Sequence, residues 1–300
     1  MTPTWVNAPG RMVMATLSVP DISTAEGVYS DCLRYARVEA GRIEEPLARS
    51  WGAPAMAGKA YVLMAPREAD TYALRLVETA PVADFAPMRT FGWGALELSV
   101  ESVEAVHEAV KDTAFRIIGP PRDIMFGAPV RPMQVSGPAR EVFFLTQVLE
   151  PEEGPETARA FVDQLFIAIL ATPDRGKALD FYERALGFKR GATFEMAYRS
   201  LNQAFGLAPD TQQSFTMLGS PVEGVIQVDQ YPTGATARPL APGHLPPAIG
   251  MVSFVVASLD AVRGEFFAAP ARFGQAPYGG RRAAALKGAA GEWIELVEAR

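Results

Sequence analysis

An internal repeat constrains this chain more than any other feature. Segment 13–35, VMATLSVPDISTAEGVYSDCLRY, and segment 166–188, FIAILATPDRGKALDFYERALGF, each run as an apolar strand, a Pro-Asp pair and an amphipathic helix. Asp21 and Asp174, 153 positions apart, stand where a helix N-cap belongs, a short polar side chain there accepting hydrogen bonds from otherwise unpaired N–H groups. Ala25, Val28, Tyr29, Cys32 and Leu33 fall on one helical face, as do Ala178, Phe181, Tyr182, Ala185 and Leu186. A second pair, 93–110 and 250–267, repeats a strand, a Ser cap (Ser102, Ser258) and a helix at an offset of 156. Strand-like endings recur too, 72–79 with 224–231 and 141–150 with 292–300. The chain therefore reads as two halves of two units each, a unit being one strand, one helix and about three strands.

On this reading residues 1–149 form an N-terminal pair of units and 161–300 a C-terminal pair. The Glu/Pro/Gly-rich segment 150–160 is a solvated linker between them. A Pro/Gly-rich stretch, 232–247, joins the third unit to the fourth. Such alternation predicts an α+β fold with helices outside curved sheets.

Composition narrows the partners. With 300 residues, 49% hydrophobic and 21% charged, the chain can bury a sizeable core. A formal charge of −6 with no Lys/Arg cluster argues against nucleic acid, whose phosphates it would repel. No apolar run approaches the roughly 20 residues of a membrane span, and the N-terminus lacks a signal pattern. Cys32 is the single cysteine, so no intrachain disulfide can form and cytoplasmic residence is expected. It falls on the apolar helix face and reads as a small core residue.

The run ending FYERALGF (181–188) and the closing GEWIELVE (291–298) resemble the opening and closing signatures of the vicinal-oxygen-chelate superfamily, which includes glyoxalases, bleomycin-resistance proteins and extradiol dioxygenases. The resemblance covers most of the chain and is strongest over 161–300. It implies four βαβββ modules paired into two cupped, mixed β-sheets with helices outside, each cup a ligand site. It says less about activity, since the superfamily holds isomerases, lyases, ring-cleaving dioxygenases, thiol transferases and drug-binding proteins. Metal-dependent members carry His, Gln or Glu on the first and last strands of each module. The matching positions here are Met14, Arg75, Ala95 and Phe144 in an N-terminal cup, and Ile167, Gln227, Met251 and Glu295 in a C-terminal cup. A divalent metal wants three or four convergent donors, and the two histidines, His107 and His244, are at neither set. No metal and no other cofactor is expected.

Side chains two apart on a strand share a face. Gln227 thus brings Asp229, Glu295 brings Trp293 and Met251 brings Ser253. In the other cup Ala95 brings Glu97, Met14 brings Thr16 and Phe144 brings Thr146. Glu295, a lone carboxylate among Trp293, Ile167 and Met251, would be desolvated with a raised pKa, which suits a general acid or base, with Asp229 sharing the task. Alternatively Glu295 is hydrogen-bonded structure, and Asp229 a solvent-exposed strand end. Gln227, Trp293, Met251, Ser253 and Ile167 would bind substrate. Arg75 and Glu97 would form a buried ion pair, or Arg75 would grip a substrate carboxylate. His107 reads as a half-buried helix residue and His244 as a loop residue. Trp93, Trp293, Phe205 and Tyr198 would stack on an aromatic ligand or fill the core. Residues 200–215 predict a short inserted helix able to lid the C-terminal cup, and 278–282 a hairpin turn.

Two functions fit. One is a metal-independent enzyme with isomerase- or lyase-like acid–base chemistry on a small, apolar or aromatic molecule, Glu295 moving the proton. The other is a non-catalytic binding or sequestration protein of the bleomycin-resistance type. The partner is a small-molecule ligand, not nucleic acid or membrane, and a homodimer is compatible with either.

Overall fold

The computed structural model describes residues 9–68, 73–126, 128–150, 158–219 and 224–299. Most of the expected linker (151–157) and Tyr72, at the start of one expected strand, lie outside the described residues. Helix caps form where the sequence places them: Asp21 accepts from Thr24 N, Ser102 from Ala105 N and Asp174 from Lys177 N.

The first module comprises β1 (Met12–Val19), α1 (Ile22–Cys32), β2 (Tyr35–Arg42), α2 (Glu45–Ser50), β3 (Ala60–Pro66) and β4 (Leu74–Glu78). The second has β5 (Gly92–Val100), α3 (Val103–Val110), β6 (Arg116–Gly119), β7 (Ile124–Phe126), β8 (Ala128–Ser136) and β9 (Val142–Val148). The third has β10 (Val162–Thr172), α4 (Arg175–Leu186), β11 (Lys189–Ala197), α5 (Arg199–Phe205), β12 (Gln212–Gly219) and β13 (Gly224–Gln230). The fourth has β14 (Ala248–Val256), β15 (Ala271–Arg272), β16 (Arg282–Lys287) and β17 (Trp293–Glu298). Its expected helix after Ser258 shrinks to one 3-10 turn, Leu259–Ala261. Gly264 and Pro270 interrupt the pattern, and the chain instead runs beside β16, bridging Phe266 to Leu286 and packing Phe267 on Trp293 at 4.9 Å.

The strands make two mixed sheets, ordered β15-β16-β17-β14-β1-β4-β3-β2 and β11-β12-β13-β10-β5-β9-β8-β6, with β7 on β8. Module one thus pairs with module four, and module two with module three. The expectation that each half of the chain closes its own cup is corrected here. β9 and β10 both flank β5, so segment 150–160 joins strands of one sheet. The reason lies in the connections: segments 79–91 and 231–247 both cross between the sheets and zip together, Phe91 N donating to Thr236 O and Thr236 N to Arg89 O. Arg238 pins the crossing by donating to Trp93 O at 2.6 Å and Ile249 O at 3.1 Å.

One continuous core draws on strands of both sheets and takes in α1, α3 and α4; Cys32 and the Val103, Val106, Val110 stripe belong to it. Trp93 also belongs to it, donating from Nε1 to Trp293 O at 2.8 Å and so linking the sheets. Within it two buried Tyr–Glu pairs repeat. The Tyr29 hydroxyl of α1 donates to Glu141, whose other oxygen takes Ala139 N at 2.8 Å. The Tyr182 hydroxyl of α4 donates to Glu292 at 2.8 Å, whose other oxygen takes Ala290 N at 2.8 Å. Burial pushes both carboxyls up to about 7. Glycine is required four residues earlier in each turn: a Cβ on Gly137 or Gly288 would sit 1.7 or 2.0 Å from the carboxylate oxygen. The sheets therefore bind the halves to each other, while these pairs bind each half to itself.

Candidate functional site

The first cup, on the sheet of modules one and four, is filled. Short α2 ends by turning Trp51 into it, and the 278–281 turn adds Tyr278. Glu295 Oε1 accepts from Trp51 Nε1 at 2.8 Å and from the Tyr278 hydroxyl at 2.5 Å. Its Oε2 accepts from the Ser253 hydroxyl at 2.5 Å and from Arg75 Nη2 at 3.0 Å. Arg75 further donates to Thr16 Oγ1 at 3.0 and 2.8 Å and to the Tyr278 hydroxyl at 2.7 Å, with its guanidinium 4.3 Å above the Trp51 ring. Burial lowers the guanidinium's pKa, but Glu295 and Tyr278 beside it more than restore it. Arg75 and Glu295 are each 1% exposed, and Met14, Met251, Trp293 and Phe273 pack around them.

Several expectations change on this geometry. Arg75 does not pair with Glu97, because the two stand on different sheets; its partner is Glu295. Neither is poised to meet a substrate: every oxygen of Glu295 is taken, and Arg75 is spent on fixed partners. Ser253, Met251 and Trp293 belong to the same buried cluster and are not among the residues that line the cavity of the other cup. Sequence reasoning missed Trp51 and Tyr278, which lie in insertions outside the repeating pattern.

The second cup, on the sheet of modules two and three, encloses a cavity of about 400 Å³. Here stand Glu97 of β5, Phe144 of β9 and Gln227 of β13, with Ile167 facing Glu97 across the β5–β10 pairing. Phe144 packs edge-on against Tyr198 at 6.0 Å, just before α5, and α5 itself adds Ser200 and Gln203 to the wall. The inserted helix thus borders the cup of modules two and three, not a cup shared by modules three and four as the sequence suggests. Thr146 donates to Glu97. Gln227 Nε2 donates to Asp229 Oδ1 at 2.8 Å. Asp229 sits behind Gln227 at 2% exposure, not solvated as the alternative reading had it, and its Oδ2 has no hydrogen-bond partner among the described residues. Burial pushes its carboxyl up to about 7, against the opposing pull of Gln227 and Arg175. His107 is half-buried on α3, and His244 hydrogen-bonds Pro242 O in its loop; neither lines the cavity.

A metal of the kind many proteins of this fold carry does not fit the donor set. The second cup offers Glu97 and Gln227 alongside apolar Ala95, Phe144 and Ile167, and the first offers Glu295 already engaged by four donors. Among the described residues no three His, Cys, Asp or Glu side chains converge.

No protein-family model matches the chain, and no curated protein matches it. Solved structures do. Glyoxalase I from Zea mays is 18% identical, superimposes over 96% of this chain and 92% of its own, and gives a TM-score of 0.64. A Bacillus subtilis protein, described only provisionally as a dioxygenase, is 12% identical over 98% of this chain and 86% of its own, with a TM-score of 0.60. At such identities the likeness speaks for architecture and not for chemistry. With the four modules and two cups already in view, it establishes that this chain has the vicinal-oxygen-chelate fold.

Proposed function

We propose that the chain is a small-molecule enzyme working in the second cup by acid–base chemistry without a catalytic metal, on a largely apolar or aromatic substrate. The observation that carries this is a carboxylate, Glu97, on the wall of a cavity of about 400 Å³ that is otherwise mostly aromatic and aliphatic. The proton-moving role first assigned to Glu295 passes to Glu97. In an isomerisation Glu97 takes a proton from an acidic carbon of the substrate and returns it to a neighbouring atom, so no electron donor or acceptor is needed. Gln227, its amide held by Asp229, orients a substrate oxygen. Asp229 is a positioning residue in this scheme, since Gln227 lies between it and the cavity.

A second reading, sequestration, is favoured by Phe144, Tyr198 and Phe215, which offer flat apolar faces for stacking. One experiment separates them. Chelator-treated protein is screened by thermal shift against small aromatic and carbonyl compounds, since a ligand of the native state raises its stability. Each hit is then incubated with wild type and with Glu97→Gln and followed by NMR and mass spectrometry. Conversion by wild type but not by Glu97→Gln upholds the enzyme. Hits that bind and stay unchanged mean sequestration, and turnover that appears only with added Fe²⁺, Mn²⁺ or Zn²⁺ overturns the metal-free chemistry.

A further inference from the structure

The wall of the second cup runs from buried to exposed residues. Its deep residues, Phe144, Tyr198, Phe215 and Gln227, are buried. Two other residues on the same wall, Arg122 and Arg199, are exposed and so stand at the mouth. They come from different modules: Arg122 from the segment between β6 and β7, Arg199 from the start of α5. Several other arginines of this chain are paired with carboxylates, as in Arg131 with Asp123 and Glu104, Arg190 with Asp180 and Glu183, and Arg282 with Asp260 and Glu298. Neither mouth arginine has such a partner among the described residues. Two cations with no carboxylate partner among the described residues, both on the wall of one cavity in a protein of net charge −6, give that opening a local positive potential. Glu97, the carboxylate among the residues that line this cavity, is half-buried and lies on β5.

Resting on the reading that the second cup is the working site, we propose that its ligand is an amphiphilic organic anion. An aromatic or aliphatic body lies between Phe144, Tyr198 and Phe215, and a single anionic head sits at the mouth against Arg122 and Arg199. A guanidinium suits such a head because its planar donors match a carboxylate, sulfonate or phosphate edge. Glu97 repels an anion placed the other way round, so the charge pattern also fixes the ligand's direction, with its neutral reactive end toward Glu97 and Gln227.

The test uses two dyes sharing one aromatic body, 8-anilinonaphthalene-1-sulfonate, which carries an anion, and N-phenyl-1-naphthylamine, which does not. Both suit a cavity of this volume. Fluorescence titration is run on wild type, on Arg122→Gln/Arg199→Gln, and on Ile118→Trp, which fills the cavity from β6. The proposal predicts that the double arginine variant loses about tenfold or more in affinity for the sulfonate dye and changes little for the neutral one. Ile118→Trp abolishes both. If the arginine variant affects both dyes alike or neither, while Ile118→Trp still abolishes them, the anion assignment is wrong and the cup reading survives. Binding that persists in Ile118→Trp, or no binding of either dye to wild type, overturns the cup reading and the anion assignment with it.

Discussion

The two cups are built from the same modules, yet one is sealed and the other hollow. Their strands are not what differs: both sheets place β-strands from two modules back to back in an antiparallel centre, β1 on β14 and β5 on β10. The difference lies in two insertions at matching places. Between β2 and β3, α2 drives Trp51 into the first cup; between β11 and β12, α5 leaves Tyr198 against the wall of the second. Between β15 and β16 a turn plugs the first cup with Tyr278, whereas the corresponding stretch between β6 and β8 holds Pro120, Pro121 and Arg122 at the mouth of the second. In this chain the strands supply the frame, and the insertions decide whether the frame encloses a core or a cavity.

The comparison is broken most severely by removing a member of the sealed cup. Arg75→Met leaves Glu295 buried without its counter-charge, and breaking such a buried pair costs about 3–5 kcal/mol. A fall in Tm of about 10 °C is expected, read by calorimetry, with dye binding in the second cup unchanged at temperatures where the variant is folded. Trp51→Ala tests the plug itself. It removes a fully buried indole, costs about 3–5 kcal/mol by urea unfolding, and opens a second dye site in the first cup.

A gentler test uses pH. Glu141, Glu292 and Asp229 are all raised to about 7 by burial, so the native state holds protons that the unfolded chain releases nearer 4. Their contribution to stability is fully present below those unfolded values and is lost as pH rises through about 7. Urea midpoints should therefore fall between about pH 5 and pH 8, and Glu141→Gln with Glu292→Gln should flatten the curve. The smallest effect expected is from Asp229→Asn. It leaves the cavity wall intact, loosens the hold on Gln227, and weakens ligand binding a few-fold while removing its pH dependence near 7.

Much of the fold was legible because it repeats: caps at Asp21, Ser102 and Asp174 and the helix faces behind them are local features that a periodic pattern exposes. The choice of partner module was not, because every module carries the same pattern and only the crossing segments, held by Thr236 and Arg238, decide which two meet. Pairing by halves would set Arg75 beside Glu97, whereas the fold sets it beside Glu295, 220 residues away in sequence. Gln227, Phe144 and Ile167 came with the family resemblance and Glu97 from strand alternation with Ala95, but divided between two cups that the fold merges into one. The occlusion of Glu295 was not legible, since it depends on Trp51 and Tyr278, which follow no repeat. Nor was the cavity, whose mouth is shaped by irregular segments.

The central claim is that one cup binds and the other only supports. It is tested most directly by the stoichiometry of N-phenyl-1-naphthylamine binding to wild type, Ile118→Trp and Trp51→Ala. One site per chain, none in Ile118→Trp and two in Trp51→Ala is the predicted result. A site in wild type that survives Ile118→Trp but is lost when the first cup is altered would contradict it.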